Sequence, residues 1–195
     1  MKERLKKQIS FMLELDKMKN LYRQTYVLHE NRKENDAEHS WHLAVMTFLL
    51  SEYANCQIDV TKVMKMVLIH DVVEIDAGDT YCYDTEGNKS KAEREEKAAR
   101  RIFGMLPEDQ CSEFYELWLE FEDSHTKEAR FAALLDRLQP LLLNYTRKGI
   151  SWQEHGIRKE QVLKRNEEYF AESDRIAELI ASILDDATEK GWLKT

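Results

Sequence analysis

With only two prolines and six glycines in 195 residues, the chain is too poor in turn formers for a hairpin-rich β protein. No segment approaches the roughly 18 uninterrupted apolar residues of a membrane span, so no membrane partner is expected. The three cysteines, Cys56, Cys82 and Cys111, are odd in number and lack metal-ligand spacing, which argues against a disulfide framework or a thiolate zinc site. They read as free thiols of a reducing compartment. From Met1 through Lys7 no long apolar stretch follows the charges, so a secretory leader is not expected and the cytoplasm is the expected setting. Excess positive charge is absent too. The 37 acidic residues against 29 basic ones give a formal net charge of −8, which disfavours the dense basic face needed to bind a nucleic-acid polymer.

Charge and apolar surface are abundant, at 34% and 43% of residues, a balance that can bury one substantial core in a single domain spanning 1–195. Leu5, Ile9 and Met12, with Phe11, Leu15 and Met18 beside them, predict an opening amphipathic helix, broken by the polar stretch from His29 to Asp36. Asp36 is the expected cap of the next helix, on which His39, His42, Met46, Leu49 and Tyr53 follow one stripe and Trp41, Val45 and Phe48 another. Asp59 can cap a third helix through Val63, Met64, Val67 and Leu68, at whose end His70 and Asp71 arrive. From Asp76 to Asn88 the pattern dissolves into a loop, and Ser90 with Glu93 then suggests a capping box for a charged helix. Pro107 opens a helix with Phe114, Leu117, Trp118 and Phe121 on one face. Phe131 to Tyr145 is apolar almost all round, with a kink or stress expected near Pro140. A last helix carries Ile176, Leu179, Ile180, Ile183 and Leu184 before Gly191 stops it. The expected fold class is all-α.

The residues that bring chemistry to this scaffold come in the order His39, His70-Asp71, Asp136. Asp136 places a carboxylate in an otherwise apolar segment. Buried without a partner it would cost several kcal/mol or take up a proton, so a partner is implied: Arg137 or another cation in an ion pair, or a metal ion. Its helical neighbours Ala132, Ala133 and Pro140 leave space above it. Taken singly, His70 could be a helix-end histidine favoured by the helix dipole, and His39 could merely pack. His39 and His42 form a rival pair at i and i+3, but no nearby Glu or Cys completes a zinc pattern around them. The conjunction of two imidazoles and two carboxylates favours one divalent cation. Glu74, one turn beyond His70, and Asp79, after Gly78, are spare carboxylates beside it, although each could equally be a solvated helix-end or turn residue. Arg23, Arg32 and Lys33 are candidates to neutralise phosphate. His29, His125 and His155 read as surface or hydrogen-bonding residues.

This order, together with Glu38-His39-Ser40 and the run from Glu74 to Gly78-Asp79, resembles the HD-domain metal-dependent phosphohydrolase superfamily. The closest branch is the compact one that includes the 5′-deoxynucleotidases. The resemblance runs from about Leu21 to Tyr145, leaving a C-terminal helical extension. It implies a compact HD-domain helical bundle in which His39, His70, Asp71 and Asp136 bind one divalent cation (Mn, Co, Mg, Ni or Zn). Glu74 would orient or deprotonate water, Asp79 would hold the sugar or protonate the leaving oxygen, and Arg23 would clamp phosphate. The implied activity is release of phosphate from nucleoside 5′-monophosphates by a homodimer. Hydrolysis of another small phosphoester or a nucleotide polyphosphate, or a non-catalytic metal-stabilised regulatory module, is the alternative. Two-metal relatives need further histidines between the doublet and the last aspartate, and only His125 lies there. The nucleotidase branch follows its arginine with tryptophan, whereas Gln24 follows Arg23 here, so weaker selection of deoxyribose is expected.

Overall fold

Side chains that accept from backbone N–H groups start several of the helices in the computed structural model, which describes residues 2–84 and 86–195. The main elements are α1 (Glu3–Glu14), a 3-10 turn (Leu15–Asn20), β1 (Tyr22–Tyr26), β2 (Lys33–Asn35), α2 (Asp36–Leu50), α3 (Val60–Ile69), a 3-10 turn (His70–Val73), α4 (Glu74–Ala77), α5 (Lys91–Phe103), α6 (Glu108–Asp123), α7 (Lys127–Thr146), α8 (Ile150–His155), α9 (Lys159–Glu167) and α10 (Asp174–Glu189). The helical class is as expected. The small antiparallel hairpin of β1 and β2 lies in and beside the segment read only as a polar break. Strands this short hold too few residues for a period-two pattern to stand out.

Helix starts agree with the sequence in part. The expected cap Asp59 opens α3, its Oδ1 accepting from Lys62 N at 3.1 Å; Thr126, not among the expected caps, opens α7, its Oγ1 accepting from Ala129 N at 3.2 Å. Asp36, however, is not the cap of α2. Asn35 is, accepting from Glu38 N at 2.9 Å while Glu38 Oε2 accepts from Asn35 N at 3.2 Å, a reciprocal capping box. Asp36 is thereby released to be the first helical residue, fully buried. The box expected from Ser90 and Glu93 does not form. Ser90 sits at ψ 1°, outside the extended region a capping residue adopts, and its hydroxyl accepts from Arg94 Nε instead.

The apolar side chains gather in two clusters. One is centred on α7, whose Phe131, Leu134, Leu135 and Leu138 pack with Leu43 of α2, Met66 and Val67 of α3, and Ile180 and Leu184 of α10. The other joins Phe11 and Met18 to Ile69, Val72, Val73, Ile102, Phe103 and Trp118. Helix α3 feeds both, so the turn that follows it lies where they meet. Helix α7 is continuous through Pro140. The proline removes one backbone donor, the one that would have bonded the Asp136 carbonyl, and packing around the rest of the helix offsets a loss of about 3 kcal/mol. The two stripes read on α2 do not divide cleanly: His39 and Met46 are buried, with Leu43 beside them, but Leu49 and Tyr53 of the same stripe are 58% and 44% exposed, as are Trp41 and Phe48 of the other at 66% and 69%. No helix among the described residues is long and apolar enough to cross a membrane.

Candidate metal centre

Three elements bring the predicted cation set together. His39 lies in the first turn of α2, His70 and Asp71 open the 3-10 turn after α3, and Asp136 comes from the middle of α7. His39 Nε2 is 3.0 Å from Asp136 Oδ1 and 3.9 Å from Asp71 Oδ2. His70 Nε2 is 3.1 Å from Asp71 Oδ2 and 3.6 Å from Asp136 Oδ1. Arg137, the rival partner for Asp136, directs its hydrogen bonds elsewhere, to the carbonyls of Ala133 and Arg165 and the hydroxyl of Tyr169.

The other nitrogen of each imidazole decides what this convergence can do. His70 Nδ1 donates to the Val67 carbonyl at 3.0 Å, and His39 Nδ1 donates to Gln139 Oε1 at 3.1 Å. Those bonds leave each Nε2 with a lone pair directed at carboxylate oxygens, an arrangement of acceptors facing acceptors that calls for positive charge between them. His70 Nε2 is buried and has no hydrogen-bond partner. Burial alone would lower the pKa of His70, but Asp71 and Asp136 outweigh it and lift the imidazole to about 10. A proton or a divalent ion meets the same demand, and the donor set of two imidazole nitrogens and two carboxylates suits the ion.

Gln139 is a residue the sequence reading missed. Its Nε2 donates to Glu34 Oε1 at 2.6 Å and lies 3.2 Å from His42 Nδ1, which turns its Oε1 towards His39. Glu34 and Gln139 are both buried, and burial pushes the Glu34 carboxyl up to about 7. His42 therefore stands behind His39, and the proposed i, i+3 pair does not face one centre. The only hint in the sequence was a glutamine inside an apolar helix.

Acidic groups crowd the same cavity. Glu74 is buried at the start of α4, Asp79 is half-buried after Gly78, and both line the cavity with Asp71 and Asp136. Asp36, read only as a cap, lies within ligand range of Asp71 and Glu74. Burial and mutual repulsion push Asp36 up to about 7 and raise Glu74 and Asp79 as well. Arg23 supplies the compensating charge from β1: its Nη1 donates to Asp71 Oδ2 at 2.7 Å and lies 3.6 Å from Asp36. Its Nε is buried without a partner, a donor available to an anion. Gln24, next to it, accepts from Lys33 across the hairpin. Arg94 ties the loop after α4 to α5, donating to the Ala77 carbonyl and, at 2.8 Å, to Thr80 Oγ1. His29, His125 and His155 are exposed and take no part.

A helical bundle closed around histidine and aspartate from three separate elements defines a class, and the comparisons name it. The HD domain family model matches residues 15–178, and the chain belongs to that family. It is 32% identical over 111 residues to human 5′-deoxynucleotidase HDDC2, covering 57% of this chain and 53% of that protein. The mouse protein of the same name is 30% identical over 135 residues, covering 69% and 66%. The match thus spans between half and two thirds of those relatives. A crystal structure described as a predicted metal-dependent phosphohydrolase from Magnetospirillum magnetotacticum is 47% identical, with a TM-score of 0.92 over 98% of this chain and 96% of that one. An HD-domain phosphohydrolase from Listeria innocua shares the fold at 18% identity and a TM-score of 0.65, over 92% and 88% of the two chains.

Replacing Gln139 by Leu keeps a similar volume but removes the acceptor for His39 Nδ1 and strands Glu34. The expected result is divalent-cation affinity about 10- to 100-fold weaker, measured by competition with a chromophoric chelator. Unchanged affinity would show that His39 does not depend on this support.

Proposed function

We propose that this protein is a metal-dependent phosphohydrolase that releases phosphate from nucleoside 5′-monophosphates, with residues 1–195 acting as one hydrolase unit in the cytoplasm. The observation that carries the proposal is the pair of imidazole Nε2 atoms of His39 and His70 facing Asp71 and Asp136, with Arg23 and Glu74 beside them in one cavity. His39, His70, Asp71 and Asp136 hold the divalent cation. That cation would supply Lewis-acid polarisation of a phosphoryl oxygen and of water.

The chain's own residues do the rest. Arg23, kept charged because Asp71, Asp136 and Glu74 outweigh its burial, binds the phosphate and stabilises the charge that develops on it. Glu74, buried beside Asp71, orients the attacking water and takes its proton. Asp79, on the loop after α4, reaches the sugar or returns a proton to the leaving oxygen. The names of the human and mouse relatives support the nucleotide reading, and the metal-dependent phosphohydrolase from Magnetospirillum supports the reaction class.

Elemental analysis and turnover separate these roles. Asp136→Asn, loaded with Mn, Co, Mg, Ni or Zn in turn, should fail to reach full metal occupancy; full occupancy would remove Asp136 from the ligand set. Glu74→Ala should keep its metal and lose about 10²- to 10⁴-fold in kcat. Wild-type turnover in the loaded variant would exclude Glu74 from the mechanism. No phosphate release by the wild type from any monophosphate, with all five metals tried, would move the assignment to another phosphoester, a polyphosphate or a regulatory module.

Sugar selection follows from Gln24, which carries a short polar side chain engaged with Lys33 where the nucleotidase branch has tryptophan. Matched pairs such as dAMP and AMP should differ in kcat/KM by less than about 10³-fold, since rejection of one added hydroxyl is modest unless a site is built against it. A larger preference for the deoxy form would overturn this reading.

The same protein is proposed to work as a homodimer through α2. Trp41, Phe48 and Leu49 are 66%, 69% and 58% exposed, and Val45 adds to the same strip. A contiguous apolar helix face of this kind is ordinarily covered by a partner. Sedimentation equilibrium should give a dimer for the wild type and a monomer for Phe48→Glu with little change in Tm. A wild-type monomer at micromolar concentration would refute the assembly.

A further inference from the structure

The cavity around the candidate metal centre extends in two directions of different chemistry. Towards α5 its wall carries Lys91, Glu95 and Glu122, all charged. In the other direction it follows α7, whose Asp136, Pro140 and Asn144 fall at i, i+4 and i+8 on one stripe. At 1.5 Å per residue Asn144 lies about 12 Å along the helix from Asp136. That is on the scale of a nucleoside monophosphate from its phosphate to the outer edge of its base. Leu141, Trp152 and Val162, with Tyr81 from the loop, give this arm a flat apolar and aromatic lining. Such a surface, interrupted by a few placed polar groups, suits a planar heterocycle.

Polar side chains on this wall include Ser151, Arg137 and Arg165, and two carboxamides stand among them. Asn144 on α7 and Asn166 on α9 both line the cavity and are 7% and 2% exposed. Asn144 Nδ2 donates to the Pro140 carbonyl at 3.0 Å, and Asn166 Nδ2 donates to the Val162 carbonyl at 2.7 Å. Each amide is fixed by that bond, because exchanging its oxygen and nitrogen would set two oxygens against each other. Both Oδ1 atoms are left buried without a partner. Most buried side-chain polar atoms are satisfied, so two orphaned acceptors on separate helices lining one arm of the cavity call for a ligand that brings N–H donors.

We propose that this arm is the nucleobase subsite, where Asn144 and Asn166 accept hydrogen bonds from the exocyclic amino group of the base. The proposal rests on the phosphohydrolase reading and adds the substrate's base. An amino group offers two N–H donors, one for each carboxamide oxygen. A keto oxygen in its place would face two acceptors and leave them unpaired. Cytosine and adenine are therefore favoured over uracil, thymine and hypoxanthine, which carry a keto oxygen at the corresponding ring carbon.

The pairs dCMP and dUMP, and dAMP and dIMP, exchange amino for keto at one ring carbon. With metal-loaded wild type, kcat/KM is expected to favour the amino member of each pair by about 10- to 100-fold. Asn166→Leu should bring the dCMP to dUMP ratio to within about threefold of one by lowering the dCMP value. Hydrolysis of both members at equal kcat/KM would overturn the base subsite and leave the phosphohydrolase reading intact. If no monophosphate is hydrolysed, the activity reading fails, and calorimetric Kd values for dCMP and dUMP decide the subsite. Binding of dCMP at least about tenfold tighter supports it; equal Kd values, or no binding of either, overturn it.

Discussion

The charge balance of one cavity wall is the constraint on which the rest of this structure depends. Asp36, Asp71, Glu74, Asp79 and Asp136 approach a common region, and Arg23 is the guanidinium set among them. Carboxylates removed from water cannot all stay ionised against a single guanidinium. Asp71 and Asp136 are held well below the usual carboxylate range, because His70, His39 and, at Asp71, Arg23 outweigh their burial. Asp36, Glu74 and Asp79 are pushed the other way. The wall therefore divides into groups that hold cations and groups with raised proton affinity, which is the division a hydrolytic site uses.

Backbone architecture serves that balance. The 3-10 turn after α3 lets adjacent residues, His70 and Asp71, face the same centre, since it lies between the two apolar clusters and is packed by both. The capping box of Asn35 and Glu38 fixes where α2 begins, and with it the positions of Asp36 and His39. The hairpin carries Arg23 to the carboxylates from outside the bundle and brings Glu34 under Gln139. None of these elements is large, and each is tied to α7 or to the site by a hydrogen bond that spans much of the chain.

Helix α7 serves both the core and the cavity. Its Phe131, Leu134, Leu135 and Leu138 hold the larger cluster, while Asp136, Gln139, Pro140 and Asn144 address the cavity or the imidazole behind it. Proline at 140 is tolerated because only one helical bond is lost, in a helix packed by α2, α3, α6 and α10. The shorter α8 and α9 then close one arm of the cavity with Trp152, Val162 and Asn166.

The amino-acid sequence by itself determined the helical class, the course of α7 and the cap at Asp59, because these depend on local periodicity and on donors a few residues away. It also displayed His39, His70, Asp71 and Asp136 as an ordered set, since a carboxylate in an apolar run and an imidazole–carboxylate doublet are conspicuous without a fold. Tertiary structure decided which residues of α2 were buried and that Arg137 turns away from Asp136, whereas the cap at Asn35 is a local contact with Glu38 three residues on. It alone joined Glu34, Gln139 and His39, and set Asn144 and Asn166 along one cavity. Residues about a hundred positions apart leave no mutual trace in a single sequence, because the hydrogen bond between them exists only after the apolar clusters have brought their helices together.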